Sequence, residues 1–296
     1  MQDSFFISMT SRAGSTSSAA NRTSLVVALP LRSRWEETKR RRPWCACTPG
    51  PFLLTKTVRK SNFYTRHPPQ GETMPALSDK SILQEKEEGN IIIDPFDRKN
   101  LNTSSYDVTL GEYYFREGEP ERFLGFYNPW CEADVRAVWG EPLQAQPAFK
   151  LLDEAHLGET GIAPRDKVII IKPGETILAH TEEFIGGRNH ITTMMKARSS
   201  LGRNFIEVCK CAGWGDVGFF NRWTMEITNN SRHRAIPLIV GRRIAQIVFF
   251  ETGDVLDVQY SGDGKYQTST EIEELKRSWN PNAMLPKLFK DREIGR

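Results

Sequence analysis

The chain has 296 residues, 39% of them apolar and 26% charged, a composition that excludes wholesale disorder and supports a sizeable buried core. No apolar run approaches the roughly 18–20 residues a membrane-crossing helix needs, which predicts a soluble chain. Five Cys is an odd, low number for this length and argues against a disulfide scaffold. The formal net charge of +3 is the sum of two opposed segments: residues 1–73 carry +8 and residues 74–296 carry −5.

Between Ser4 and Trp35 there are four Arg, eleven Ser or Thr and no acidic residue. That composition fits a mitochondrial or plastid transit peptide. Two other readings stand beside it: a disordered or mis-assigned leader ahead of a start at Met74, which leaves the protein cytoplasmic, and a basic binding arm around Arg40-Arg41-Arg42. No fold is expected for residues 1–73. From residue 78 the pattern is that of a short capped helix with a Ser or Asp cap, stopped at Gly89. Short β-rich runs follow at 91–93, 106–110, 168–171, 176–179, 205–209, 223–228, 236–240 and 244–250. Turn signals such as Asp94-Pro95, Lys172-Pro173-Gly174-Glu175 and Asn229-Asn230-Ser231 separate them. Many short strands and few helical stretches predict an all-β barrel or sandwich. Residues 116–166 read as a long excursion from it. The tail from 271 to 296 opens on a helix-like run at 271–279 and then frays.

Four stretches invite a chemical reading, the first of them a false lead. His180-Thr181-Glu182 fits the H-x-E half of a zinc-dependent deaminase, but that site also needs a P-C-x-x-C pair. The chain offers only Cys209-Lys210-Cys211, whose two thiols share a face if the segment is a strand; no zinc site is expected. Arg198-Ser199-Ser200-Leu201-Gly202-Arg203 groups guanidinium and hydroxyl donors suited to an anion. Residues 212–219 form a Gly-rich segment, read as a hairpin, whose backbone can approach a ligand closely. In the run 223–228, Trp223, Met225 and Ile227 share one face and Thr224, Glu226 and Thr228 the other. If that second face lines a pocket, desolvation makes Glu226 a usable proton shuttle.

Taken in order, these motifs resemble the dCTP deaminase branch of the dCTP deaminase/dUTPase superfamily. The resemblance rests on Arg198-Ser199-Ser200-x-x-Arg203, Ala212…Asp216-x-Gly218-Phe219 and Thr224-Met225-Glu226-Ile227-x-Asn229. Ser105-Tyr106-Asp107-Val108-Thr109-Leu110-Gly111, Pro173-Gly174-Glu175, Gly241-Arg242-Arg243-Ile244-Ala245-Gln246 and Gly264-Lys265-Tyr266-Gln267 extend it, so that it spans about residues 77–270. It implies a distorted, jelly-roll-like β-barrel of the trimeric dUTPase type with short peripheral helices, occupying residues 74–270. It further implies a homotrimer with active sites between subunits, binding neither nucleic acid nor membrane, and a conversion of dCTP and water to dUTP and ammonia. No metal takes part in that chemistry, although Mg²⁺ accompanies the triphosphate.

By the same resemblance, Glu226 activates the attacking water, Ser199 and Arg203 hold it and stabilise charge, and the backbone at Ala212 helps fix it. Arg198, Ser200, Lys265, Tyr266 and Gln267 hold the triphosphate, Asp216 and its Gly218 turn recognise deoxyribose, and Gln246 is a contact borrowed from the dUTPases. The family adds dTTP as a candidate inhibitor. Trp214, Gly215 and Val217 depart from the usual residues around Asp216, and the ending lacks the closing segments of both branches. Alternatives are a bifunctional enzyme that carries dUTP on to dUMP and pyrophosphate, a plain dUTPase, and a non-catalytic nucleotide-binding trimer.

Overall fold

The computed structural model describes residues 75–119, 125–158, 161–253, 255–256, 260 and 264–291. The leader expected over residues 1–73 lies outside them. Helix α1 (Asp79–Glu87) begins where Ser78 accepts a hydrogen bond from the Ser81 N–H, and the chain leaves it at Gly89 with φ 82°. Strands β1 (Ile91–Asp94), β2 (Leu101–Asn102) and the long β3 (Ser105–Arg116) follow.

The excursion is not irregular throughout. It contains α2 (Glu132–Trp139) and two short strands, β4 (Leu143–Gln144) on β3 and β5 (Gln146–Pro147) on β6 (Lys167–Ile171). Then come β7 (Thr176–Gly187), β8 (Ile191–Ala197), the single helical turn α3 (Ser199–Gly202), β9 (Ile206–Glu207), β10 (Trp214–Gly215), β11 (Phe220–Asn229), β12 (Ile236–Ile239), β13 (Arg243–Glu251) and α4 (Ile272–Ser278).

Every pairing among the described strands is antiparallel. One curled sheet runs β10-β8-β13-β3-β7-β11-β9, with β1 on β7 and β2 and β4 on β3; a second orders β12-β6-β5. The all-β expectation holds, with short helices at the periphery. Strands β3, β7 and β11 are longer than their sequence signals, and β8 has none. The run read as 176–179 continues to Gly187, and β8 lay in a stretch read as no strand at all, because Thr192, Thr193 and Met195 are all buried and leave no polar alternation to read.

β3 reaches from one half of the sheet to the other, pairing with β13 through Thr109 and with β7 from Leu110 onward. Its ladder with β7 slips between Leu110 and Tyr114. Gly111 sits in that irregularity because the His180 ring fills the space beside it: a Cβ there would lie 2.0 Å from His180 Cε1.

Alternation along β11 sets the two faces. Trp223, Met225 and Ile227 join the main core with Tyr106, Ile177, Ala179, Ile185 and Phe249. Arg222, Thr224 and Glu226 point the other way. On that outer side Leu178 packs with Phe115, with Val135 of α2, and with Met284 and Leu285 of the tail. The tail beyond α4 therefore does not fray as expected: 3-10 turns at Pro281–Met284 and Leu288–Lys290 bury Met284 and Leu285.

Candidate active site

A cavity of about 590 Å³ opens between the outer face of β7 and β11, the end of α2 and the tail. Its lining includes Glu226, Thr224, Arg222, Trp139, Met284 and Asp216. Across the ladder Glu226 faces Leu178, and Thr224 faces His180. Glu226 Oε2 is buried without a hydrogen-bond partner. Burial pushes the Glu226 carboxyl above the ordinary range; a backbone hydrogen bond and the Lys210 charge pull less strongly the other way. A carboxylate with that environment and a free oxygen can accept a proton from water.

The segment before β11 is not a simple hairpin between neighbouring strands. It leaves β9, which pairs with β11, crosses to β10, which pairs with β8, and returns. Glycine permits the crossing: a Cβ on Gly215 would meet Thr193 Oγ1 at 2.3 Å and the Trp223 ring at 2.6 Å. Cys209, Lys210 and Cys211 all have positive φ, 62°, 26° and 68°. They form a strained turn rather than a strand, so the shared-face geometry expected of the two thiols does not arise. Cys209 is buried and Cys211 exposed. Ala212, Trp214 and Asp216 then reach the cavity beside an aromatic wall in which Phe219 meets Trp223 and Tyr260 edge-on at 5.3 and 5.2 Å.

His180 is held by the backbone on both sides of its ring. Its Nδ1 lies 2.8 Å from the Thr181 carbonyl and its Nε2 accepts from the Tyr113 N–H at 3.2 Å, so both ring nitrogens are committed to backbone. Burial depresses its pKa to about 4, which keeps it neutral.

The remaining motif residues lie elsewhere in the chain. Arg198 lines a separate cleft of about 730 Å³ with Lys99, Leu201, Arg242 and Arg243. Buried Asp107 organises that cleft, holding Arg198 at 3.4 Å and Arg243 at 3.1 Å. This explains the pairing of the early S-x-D motif with the Arg-bearing motifs. Ser199, Ser200 and Arg203 are exposed on and just after α3. Gln246 is half-buried on β13, opposite Lys196 and Asp107, and lines neither cavity. Within this chain, then, Glu226, Ala212, Asp216 and Tyr266 line one cavity, and Ser199, Ser200, Arg203 and Arg198 do not join them.

Three of the C-terminal motif residues have internal partners. Lys265 pairs with Asp291. Gln267 is buried; its Oε1 accepts from the Phe220 N–H at 2.8 Å and its Nε2 donates to the Gly218 carbonyl at 3.0 Å. Gly218 itself is buried at the turn into β11, with φ 93°. Tyr266 lines the cavity while its hydroxyl accepts from the Lys287 N–H.

Sequence reasoning missed Trp139, Arg222, Tyr260 and the tail residues Ala283, Met284 and Pro286, all in the lining. Arg222 was legible, one step back along the face that carries Thr224 and Glu226. The others depend on where the excursion and the tail dock.

The family model described as dCTP deaminase-like matches residues 76–252, more than half of the chain. The chain belongs to the dCTP deaminase-like family. It is 33% identical over 181 residues to "dCTP deaminase, dUMP-forming" of Hydrogenobaculum sp., covering 60% of this chain and 84% of that protein. A protein of the same description from Methanosphaera stadtmanae is 30% identical over 213 residues, covering 70% and 97%. Among solved structures, the 2'-deoxycytidine 5'-triphosphate deaminase of Agrobacterium tumefaciens aligns with 16% identity and a TM-score of 0.42; the alignment covers 62% of this chain and 51% of that one, so the chain spans about half of its length. The tail residues that line the Glu226 cavity lie beyond the family match.

Proposed function

We propose that the protein deaminates dCTP and carries the product on to dUMP. The observation behind this reading is Glu226: a half-buried carboxylate with a partnerless oxygen, facing a nucleotide-sized cavity in a chain of this family. Water attacks C4 of cytosine as Glu226 takes its proton. The carboxyl passes that proton to N3, then takes the proton of the new C4 hydroxyl and hands it to the departing amine, giving dUTP and ammonia. Ala212 fixes the water through its backbone, and Asp216 with the Gly218 turn selects deoxyribose. The curated relatives are named for forming dUMP, which supports a second step in which water cleaves dUTP to dUMP and pyrophosphate.

Ser199 and Arg203 lie apart from Glu226 on one subunit. The reading therefore includes a homotrimer in which α3 of one copy completes the Glu226 cavity of the next. Arg198 and Ser200 hold the triphosphate from that side, and Mg²⁺ arrives with the nucleotide. Tyr266 contributes from the cavity wall. Lys265 and Gln267, already paired within the subunit, act by shaping the turn, and no role is proposed for Gln246.

Incubation with dCTP and Mg²⁺ followed by chromatography tests the reading: dUMP, pyrophosphate and ammonia are expected. Glu226→Gln is expected to lose at least about 10²-fold in ammonia release while still binding dCTP. Undiminished ammonia release in that variant sinks the mechanism, and dUTP as the final product sinks the second step.

A further inference from the structure

Three residues that line the Glu226 cavity each carry a buried side-chain atom with no hydrogen-bond partner: Trp139 at Nε1, Arg222 at Nε and Glu226 at Oε2. Buried polar atoms in folded proteins are nearly always paired, so three exceptions around one cavity call for a common cause. Two are donors and one is an acceptor, yet none satisfies another. Trp223 shows the ordinary outcome for a buried indole in the same neighbourhood, donating to the Ile185 carbonyl at 2.8 Å. Arg222 is held in place by other means: its guanidinium sits over the rings of Phe184 and Trp279, at 5.1 and 4.6 Å, and reaches Glu182 at 3.2 Å. Its buried Nε–H has no partner.

Trp139 is the more telling of the two donors. It closes α2, ahead of Gly140 with φ 62°, and the helix is fixed by Val135, which packs under Met284 and Leu285 of the tail. The excursion and the tail thus brace each other and hold this indole in the cavity wall. A rigid indole with a spare N–H, in the wall of the cavity that also holds the proposed reacting carboxylate, suits an oxygen acceptor on a bound molecule. Resting on the reading above, we propose that Trp139 is a substrate-contacting specificity residue, its Nε1–H donating to an oxygen of the bound deoxycytidine nucleotide. That oxygen belongs to the base, the sugar or the phosphates, all of which present the same acceptor chemistry.

The test uses the full-length enzyme with Mg²⁺, reading the thermal midpoint, kcat and KM for dCTP, and the Kd of dCMP and deoxycytidine. Trp139→Phe keeps an aromatic ring and removes the donor; a benzothiophene isostere of tryptophan at the same position keeps the full shape as well. Both are expected to raise KM about three- to tenfold with kcat and the thermal midpoint nearly unchanged. The same loss on dCMP and deoxycytidine assigns the acceptor to base or sugar, and a loss confined to the triphosphate assigns it to a phosphate oxygen. Wild-type KM in the isostere variant overturns the proposal, because a purely structural indole tolerates that exchange. A wild-type enzyme that neither binds nor turns over dCTP overturns the functional reading itself, and this proposal with it.

Discussion

At the scale of single residues, burial decides what each titratable group can do. His180 and Glu226 lie on neighbouring strands of one sheet, and desolvation moves their pKa values in opposite directions, down for the imidazole and up for the carboxyl. For His180 the folded value of about 4 lies below the unfolded 6.5, so the unfolded chain takes up the proton first as pH falls. Its neutral state therefore supports the fold above 6.5, and that support is lost between 6.5 and about 4, on the order of 3 kcal/mol in all. The raised carboxyls Glu183 and Glu226 have the reverse sign: their contribution is full below the ordinary carboxylate range and fades as pH rises through their folded values. Urea unfolding of wild type and His180→Asn at pH 7 and pH 4 isolates the first effect. The wild type is expected to lose about 3 kcal/mol more than the variant over that interval; equal losses would show that His180 titrates normally.

At the scale of elements, the turn into β11 is pinned by Gln267, whose amide spans the Phe220 N–H and the Gly218 carbonyl. A glutamine that bound only phosphate could be replaced with a rise in KM and little change in stability. Here the replacement strands two buried backbone groups. Gln267→Leu is thus expected to cost about 2–4 kcal/mol in denaturant unfolding and to disturb the Asp216 turn as well. Stability equal to wild type with a raised KM would return Gln267 to the phosphate site. The tail behaves as an element in its own right: Asn280 caps the 3-10 turn by accepting from the Asn282 N–H, and that turn delivers Met284 to the apolar cluster around Val135.

At the scale of the whole molecule, the proposed site is divided. Glu226 lies in one cavity, Arg198 in another, and Ser199 and Arg203 are exposed on the surface. A closed ring of copies can unite them, and the union has a direct signature. Glu226→Gln and Ser199→Ala homo-oligomers are each expected to be nearly inactive. When the two are unfolded together in equal amounts and refolded, each site draws one half from each of two copies, so about a quarter of sites regain both wild-type groups. Activity near a quarter of wild type is expected in the ammonia assay. A mixture no more active than its parents would place the whole site in one subunit.

The sequence by itself determined the strand-rich class, the capped first helix, the two faces of β11 and the family to which its collinear motifs belong. Those features are written locally, in alternation, in turn residues and in collinear motifs. It could not show β8, whose buried threonines erase the alternation, nor the docking of residues 116–166 and of the tail. Those segments gain their order from the apolar contacts of Val135, Leu178, Met284 and Leu285, which lie far apart in sequence. Tertiary structure alone decided that Cys209 and Cys211 sit on a strained turn, that His180 is spent on backbone, and that Trp139 walls the Glu226 cavity. The physical reason is common to all three: burial and hydrogen-bond completion depend on which distant groups arrive to share a space, and no local pattern encodes that arrival.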